Sequence, residues 1–340
     1  MTTKNSQTDF ARCVTRFLTS HLPGERNLSP QTIKSYSFAL KKYIGYLDST
    51  AGIKPERIEL KDVTADVIKG FLASMGASPK THNQRLAALK TFVRYAMLEY
   101  PAFLQDGQRI LAIPSKRSPE HEIIYLEKDA MQALLAAPNQ ATSRGRRDLA
   151  IMAMLYDTGA RVQELLNLKV KDIRLVKPET VTLLGKRRKM RTVPIMPETA
   201  KIMESYMRDR GFLEQLSCGE LYLFNSMNRA QFTRPGISKI LKQHLATAKE
   251  TNPSILFPKD IHPHALRASK AIHLLESGVN IIAIRDFLGH VSVTTTQVYL
   301  RVNNQTKRDA ITKAYPSLVE VVPAWQENSD LMALLKELCS

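Results

Sequence analysis

The 340-residue chain is 44% hydrophobic and 24% charged, enough for two domains with buried cores and unlike a disordered segment. Its 49 Lys and Arg against 32 Asp and Glu give a formal charge of +17, which favours a polyanionic partner, nucleic acid first, over an acid-binding or neutral small-molecule role. Cys13, Cys218 and Cys339 are too few and too scattered for a disulfide framework or a Cys-rich zinc site. The N-terminal MTTKNSQTDFARCV lacks an apolar secretory core and no apolar run reaches membrane-spanning length, so the expectation is a soluble cytoplasmic protein without a membrane partner.

Helical periodicity covers 10–20 and 30–47; in the second stretch Ile33, Tyr36, Leu40, Tyr43, Ile44 and Leu47 recur behind Ser29 as cap and Pro30 in the first turn. Helices over 64–74 and 78–99 follow, the latter opening on Ser78-Pro79 and placing Leu86, Leu89, Phe92, Val93 and Ala96 on one side. Four helices predict a small all-helical domain over 1–112. The segment IPSKRSPE, 113–120, has two prolines and no periodic apolar pattern, so an interdomain linker is expected over 113–121. Residues 1–115 carry 16 basic and 9 acidic side chains and the remainder 33 and 23, so the positive surplus lies on both sides of that linker, as a clamp around a duplex requires.

Beyond the linker, helices are predicted at 127–136, 144–157, 161–167, 197–210, 234–249, 263–277, 280–288 and 293–301. Strands over 181–184 and 191–195 flank a basic hairpin tip, Gly185-Lys186-Arg187-Arg188-Lys189. The fold class is therefore mainly α with a small β-hairpin. Near the C-terminus, Ser329 precedes a stripe of Leu331, Leu334, Leu335 and Leu338, which predicts an amphipathic helix in a tail over 319–340. No repeat and no G-x4-G-K-[ST] loop occurs, so nucleotide hydrolysis is not indicated.

Six residues in this second region carry suitable chemistry. In LYDTGARVQELLNL, Gly159 ends one helix and Arg161 opens the next, where a guanidinium and a helix N-terminus together suit a phosphate; an arginine at a helix start is otherwise a surface residue. Lys186, with Lys189 as competitor, tops the basic hairpin and could enter a groove and protonate a leaving hydroxyl, or simply touch phosphates from a solvated turn. His264 and Arg267 are three apart on one helix face and can grip one phosphate together. Within FLGHVSVTTTQVYLR, His290 follows Gly289 and Tyr299 lies in the next helix; nothing in composition or spacing separates that tyrosine from a core residue.

The segments TGARVQEL, GKRRKMRTVPI, HALRASKA and LGHVSVTTTQVYL resemble, in order and spacing, the motif boxes of the tyrosine recombinase (phage integrase) family. The likeness is sharpest over 145–302, while 10–100 is similar in pattern to that family's helical core-binding domain, as in its Xer and transposon-integrase members. The resemblance implies a two-domain, C-shaped DNA clamp with a helical core-binding domain and a mixed α/β catalytic domain over 122–318. It implies Arg161, Lys186, His264, Arg267 and His290 as catalytic groups, Tyr299 as nucleophile and Glu164 as the acidic residue that follows the first arginine. Two departures stand out: Ala268 occupies the position where many relatives carry histidine, and Arg187 replaces a hairpin glycine, leaving Lys186 and Lys189 both open as general acid. No cofactor and no metal are expected. Implied partners are double-stranded DNA with a specific core site, further copies of the chain in a tetrameric synapse and a partner recombinase, with Lys34, Lys41, Lys80, Arg85, Arg187, Arg188 and Lys189 as DNA-contact candidates. Three rivals compete: a silent architectural DNA-binding protein of the same fold, relaxation of DNA as in type IB topoisomerases, and a metal hydrolase built on His262, His264, Asp286 and His290.

Overall fold

The computed structural model describes residues 7–117, 123–185, 189–214, 216–225, 231–290, 292–300, 333 and 335–337. The chain divides into two compact units, Met1–His121 and Glu122–Ser340.

In the first unit, α1 (Asp9–Arg16) is capped by Thr8 and runs on into a π-helical stretch, Phe17–Glu25, so the helix expected over 10–20 changes its hydrogen-bond period at Phe17. Helices α2 (Pro30–Ala51), α3 (Ala65–Ser74) and α4 (Pro79–Glu99) begin on Ser29, Thr64 and Ser78, each accepting a hydrogen bond from an N–H of the first turn. Phe10, Phe17, Tyr43, Phe71 and Phe92 fill the core, with edge-to-face pairs Phe10–Phe92 at 5.8 Å and Tyr43–Phe71 at 5.4 Å. A fifth helix, α5 (Leu104–Leu111), corrects the four-helix expectation. An added Cβ at its Gly107 would collide with Met97, so the glycine lets α5 pack closely on α4.

The second unit begins with α6 (Lys128–Ala136), α7 (Ser143–Thr158) and the short α8 (Val162–Leu166). Helix α7 is apolar on every side from Leu149 to Leu155 and is buried throughout that run, which makes it the central helix. A three-stranded antiparallel sheet follows, β1 (Ile173–Arg174), β2 (Thr180–Leu184) and β3 (Met190–Pro194), in the order β1-β2-β3. Two residues are too few to show alternation, so β1 escapes a periodicity reading. Val181 lies opposite Val193 and Leu183 opposite Arg191, which places Arg191 on the same inward face as the buried Val181, Leu183 and Val193. Helices α9 (Pro197–Asp209), α10 (Arg234–Thr251), α11 (Pro263–Glu276), α12 (Ile281–Leu288) and α13 (Thr294–Leu300) complete the described part, which is mainly α with one small sheet. The tail over 319–340 lies outside the described residues apart from 333 and 335–337.

Candidate active site

Helix α7 ends on Gly159 with φ +56°, a left-handed residue whose missing side chain also admits Leu288: an added Cβ would sit 2.7 Å from Leu288 Cδ2. The chain then turns through buried Ala160 to Arg161, the extended N-cap residue of α8. Its N–H donates to Glu164 Oε2 at 3.0 Å, Nη1 donates to Glu164 Oε1 at 2.7 Å, and Nη2 donates to the Gly289 carbonyl at 3.3 Å. Glu164 is 4% exposed and also accepts from Arg191 Nη2 at 2.8 Å. Burial alone would raise the Glu164 pKa; the hydrogen bonds from Arg191 and the Arg161 backbone outweigh it and hold the carboxyl below its usual range.

Arg267, on the inner face of α11, is 3% exposed and donates from Nη1 to the Gly159 carbonyl (2.5 Å) and from Nη2 to the Leu288 carbonyl (2.7 Å). Burial, then repulsion from Arg161, lowers its pKa to about 10, so it remains a cation at neutral pH. His264 lies one turn earlier on α11 and is exposed at its surface, its pKa lowered by desolvation of part of the ring and next by Arg267.

Gly289 closes α12 with φ +64° and hands on to His290, whose Nδ1 is 2.9 Å from Thr296 Oγ1 and whose ring stacks on Tyr299, centroids 6.4 Å apart and planes at 19°. Burial, then Arg267, Arg161 and Arg191, lowers the His290 pKa to about 4, so the imidazole is neutral at pH 7. Tyr299 on α13 is half-buried. Burial raises its pKa while Arg267 and Arg161 pull the other way, which places the hydroxyl in the field of both guanidiniums. Arg161, Glu164, Arg267, His290 and Tyr299 thus share one locality built from α8, α11, α12 and α13, with His264 at its edge.

Of the hairpin tip, Lys186, Arg187 and Arg188 lie outside the described residues; Lys189 is exposed, and its carbonyl accepts from Gly185 N at 2.9 Å. Ala268 is buried, 5% exposed, next to Arg267 on α11. In the first unit Lys34, Lys41 and Lys80 are exposed and Arg85 is half-buried against Met75 Sδ; Gln84 Nε2 donates to Ser35 Oγ at 3.2 Å and joins α4 to α2 beside Lys34. The metal-hydrolase rival finds no support in the geometry: among the described residues no three His, Cys, Asp or Glu side chains converge, and Asp286 pairs with Arg285.

Two comparisons decide the family. The phage integrase family model matches residues 125–306, and the model of the phage integrase N-terminal SAM-like domain matches residues 14–100. The chain belongs to the phage integrase family of tyrosine recombinases.

It is accordingly a site-specific DNA recombinase by family. A putative integrase/recombinase, y4rC, of Sinorhizobium fredii is 32% identical over 88% of this chain and 90% of its own length. Tyrosine recombinase XerD of Listeria monocytogenes is 31% identical over 86% of this chain and 95% of its own. Among solved structures, XerH recombinase bound to a palindromic difH substrate superposes with TM-score 0.66 at 20% identity, covering 91% of this chain and 90% of that one. Tn1549 transposon integrase with circular-intermediate DNA gives 0.64 at 17% identity, covering 88% and 98%. At those identities the structures establish the shared fold.

Two features of this recombinase site lie outside the sequence expectation. One is Arg191, whose signal was present: strand alternation puts it on the face of Val193, where a charge needs a partner. The other is a buried pair, Lys270 Nζ with Asp157 Oδ1 at 3.1 Å, whose second carboxylate oxygen accepts from Met196 N at 2.7 Å. Lys270 lies 5.2 Å from the Tyr156 ring centroid, so the pair ties α11 to the end of α7.

Proposed function

We propose that this recombinase cuts and rejoins duplex DNA through a 3'-phosphotyrosyl intermediate on Tyr299, with strands exchanged between two duplexes. The observation that carries the reading is a convergence at the end of α12: Arg267 and Arg161, from separate helices, donate to the Leu288 and Gly289 carbonyls, and the next residue, His290, stacks on Tyr299. The phenol oxygen attacks the phosphorus, the bond to the 5' oxygen breaks, and the two guanidiniums neutralise the nonbridging oxygens as their charge grows. Lys186 or Lys189 protonates the leaving 5' oxygen. His264 and His290, neutral at pH 7, are available to take the phenolic proton or to brace the phosphate. Attack by a 5'-hydroxyl from the partner duplex reverses these steps and frees Tyr299, so phosphodiester bond energy is kept.

In this reading residues 1–112 and 122–318 are the core-binding and catalytic domains, and several copies assemble on two duplexes, with the tail of 319–340 either docking onto a neighbour or folding back on its own domain. The DNA-bound state of XerH and Tn1549 integrase supports duplex DNA as partner. The test is to trap covalent protein on a nicked suicide duplex. Adduct is expected with the parent and not with Tyr299→Phe; adducts undiminished in the variant would overturn the nucleophile, and DNA binding without any adduct in the parent would favour an architectural role.

A further inference from the structure

The C-terminal end of α12 gathers three arginines. The carbonyls of Phe287, Leu288 and Gly289, consecutive in the chain, accept from Arg191 Nε at 3.2 Å, Arg267 Nη2 at 2.7 Å and Arg161 Nη2 at 3.3 Å. A helix end leaves its last carbonyls without intrahelical donors and carries a partial negative charge; here each such group meets a guanidinium from a different element, β3, α11 and the α8 cap.

Arg191 shares Glu164 with Arg161 but differs from the other two arginines in lying under the turn itself. Its Nη2 is committed to Glu164 Oε2 at 2.8 Å, and its stem fills the space beneath Gly289, where an added Cβ would lie 3.1 Å from both its Cδ and its Nη1. It therefore faces the carboxylate and the turn. Glu164 in turn holds both the backbone N–H and the guanidinium of Arg161. Electrostatically the three arginines and one carboxylate leave two net positive charges. With Arg191 removed, Glu164 and Arg161 would cancel as a closed pair, and of the three arginines just one charge, that of Arg267, would be left uncompensated towards a phosphate gaining its second negative charge.

We propose that Arg191 is a positioning residue for DNA cleavage: by sharing Glu164 and propping the Gly289 turn, it holds the Arg161 guanidinium in place for the scissile phosphate. This rests on the cleavage reading above.

The experiment compares full-length parent, Arg191→Ala, Arg191→Lys, Arg161→Ala and the Arg191→Ala/Arg161→Ala double variant. Binding is read by mobility shift and single-turnover adduct formation on a suicide duplex, made once with the natural phosphate and once with a methylphosphonate at the scissile position. The methylphosphonate lacks the nonbridging charge that Arg161 neutralises. Expected are unchanged binding and a cleavage loss on the order of 100-fold for Arg191→Ala. Arg191→Lys should lose less, since it keeps the charge without the two-pronged donor. The gap to parent should narrow on the methylphosphonate for Arg191→Ala as it does for Arg161→Ala, and the double variant should be no slower than Arg161→Ala. A residue needed only for folding would not be rescued by a neutral phosphate, so an equal gap on both duplexes overturns the proposal, as does parental cleavage by Arg191→Ala. Should the alanine variant fail to fold, the same duplex comparison on Arg191→Lys decides. Adducts that persist in Tyr299→Phe would overturn the underlying reading, whereas Tyr299-dependent adducts with unaffected Arg191→Ala overturn the positioning role alone.

Discussion

At the scale of single residues, His290 shows how burial beside an arginine cluster sets protonation. Burial and three guanidiniums lower its pKa from 6.5 to about 4, so between those two values the unfolded chain takes up the proton before the folded one does. The sign follows directly: this histidine contributes stability above pH 6.5, and that contribution is lost as pH falls towards 4. Parent and His290→Gln compared by urea unfolding at pH 7.5 and pH 5 should show the parent losing more stability on acidification. His264 and His273 are also lowered, by burial first, and remain in both proteins, so the difference isolates His290. Equal losses would mean that burial and the neighbouring arginines do not lower the His290 pKa in the folded chain.

At the scale of elements, the site depends on how α7, α11 and α12 are held. Asp157 and Lys270 have side chains 5% and 14% exposed, and the carboxylate binds both the ammonium and Met196 N, where the chain leaves β3 for α9. Removing one partner of such a pair leaves the other charge buried and unmatched, a cost of about 3–5 kcal/mol, while replacing both is milder. Asp157→Ala should therefore destabilise strongly in the parent and clearly less in a Lys270→Met background, read as a double-mutant cycle of urea midpoints. Additive losses would mean that the two side chains do not interact. The same elements show what sequence reading can reach. Ser29 and Ser78 before proline mark the starts of α2 and α4 because capping is a local transaction between neighbours. Helix α5 and strand β1 escaped, the first because Gly107 serves a contact with Met97 and the second because it is two residues long.

For the whole molecule, a surplus of +17 spread over both units makes DNA affinity steeply salt-dependent through release of condensed counterions. Lys34 and Lys41 on α2 and Lys80 in the first turn of α4 are exposed, and the Gln84–Ser35 bond joins the two helices near them. Replacing all three by alanine should reduce the slope of log K against log salt by about 3, one per phosphate contact, with little effect on single-turnover cleavage at saturating protein. An unchanged slope would exclude these lysines from the DNA surface.

By itself the sequence determined the helical fold class, most helix starts and stops, the positive charge and the ordered boxes that contain Arg161, Glu164, His264, Arg267, His290 and Tyr299. Those signals are local: caps, turns and periodicity act within a few residues. Only the tertiary structure decided that Arg267 reaches a carbonyl 108 residues away and Arg161 one 128 residues away, and that Arg191 packs under Gly289. The physical reason is that a buried guanidinium must find acceptors wherever packing supplies them, and here packing supplies them at the end of one short helix.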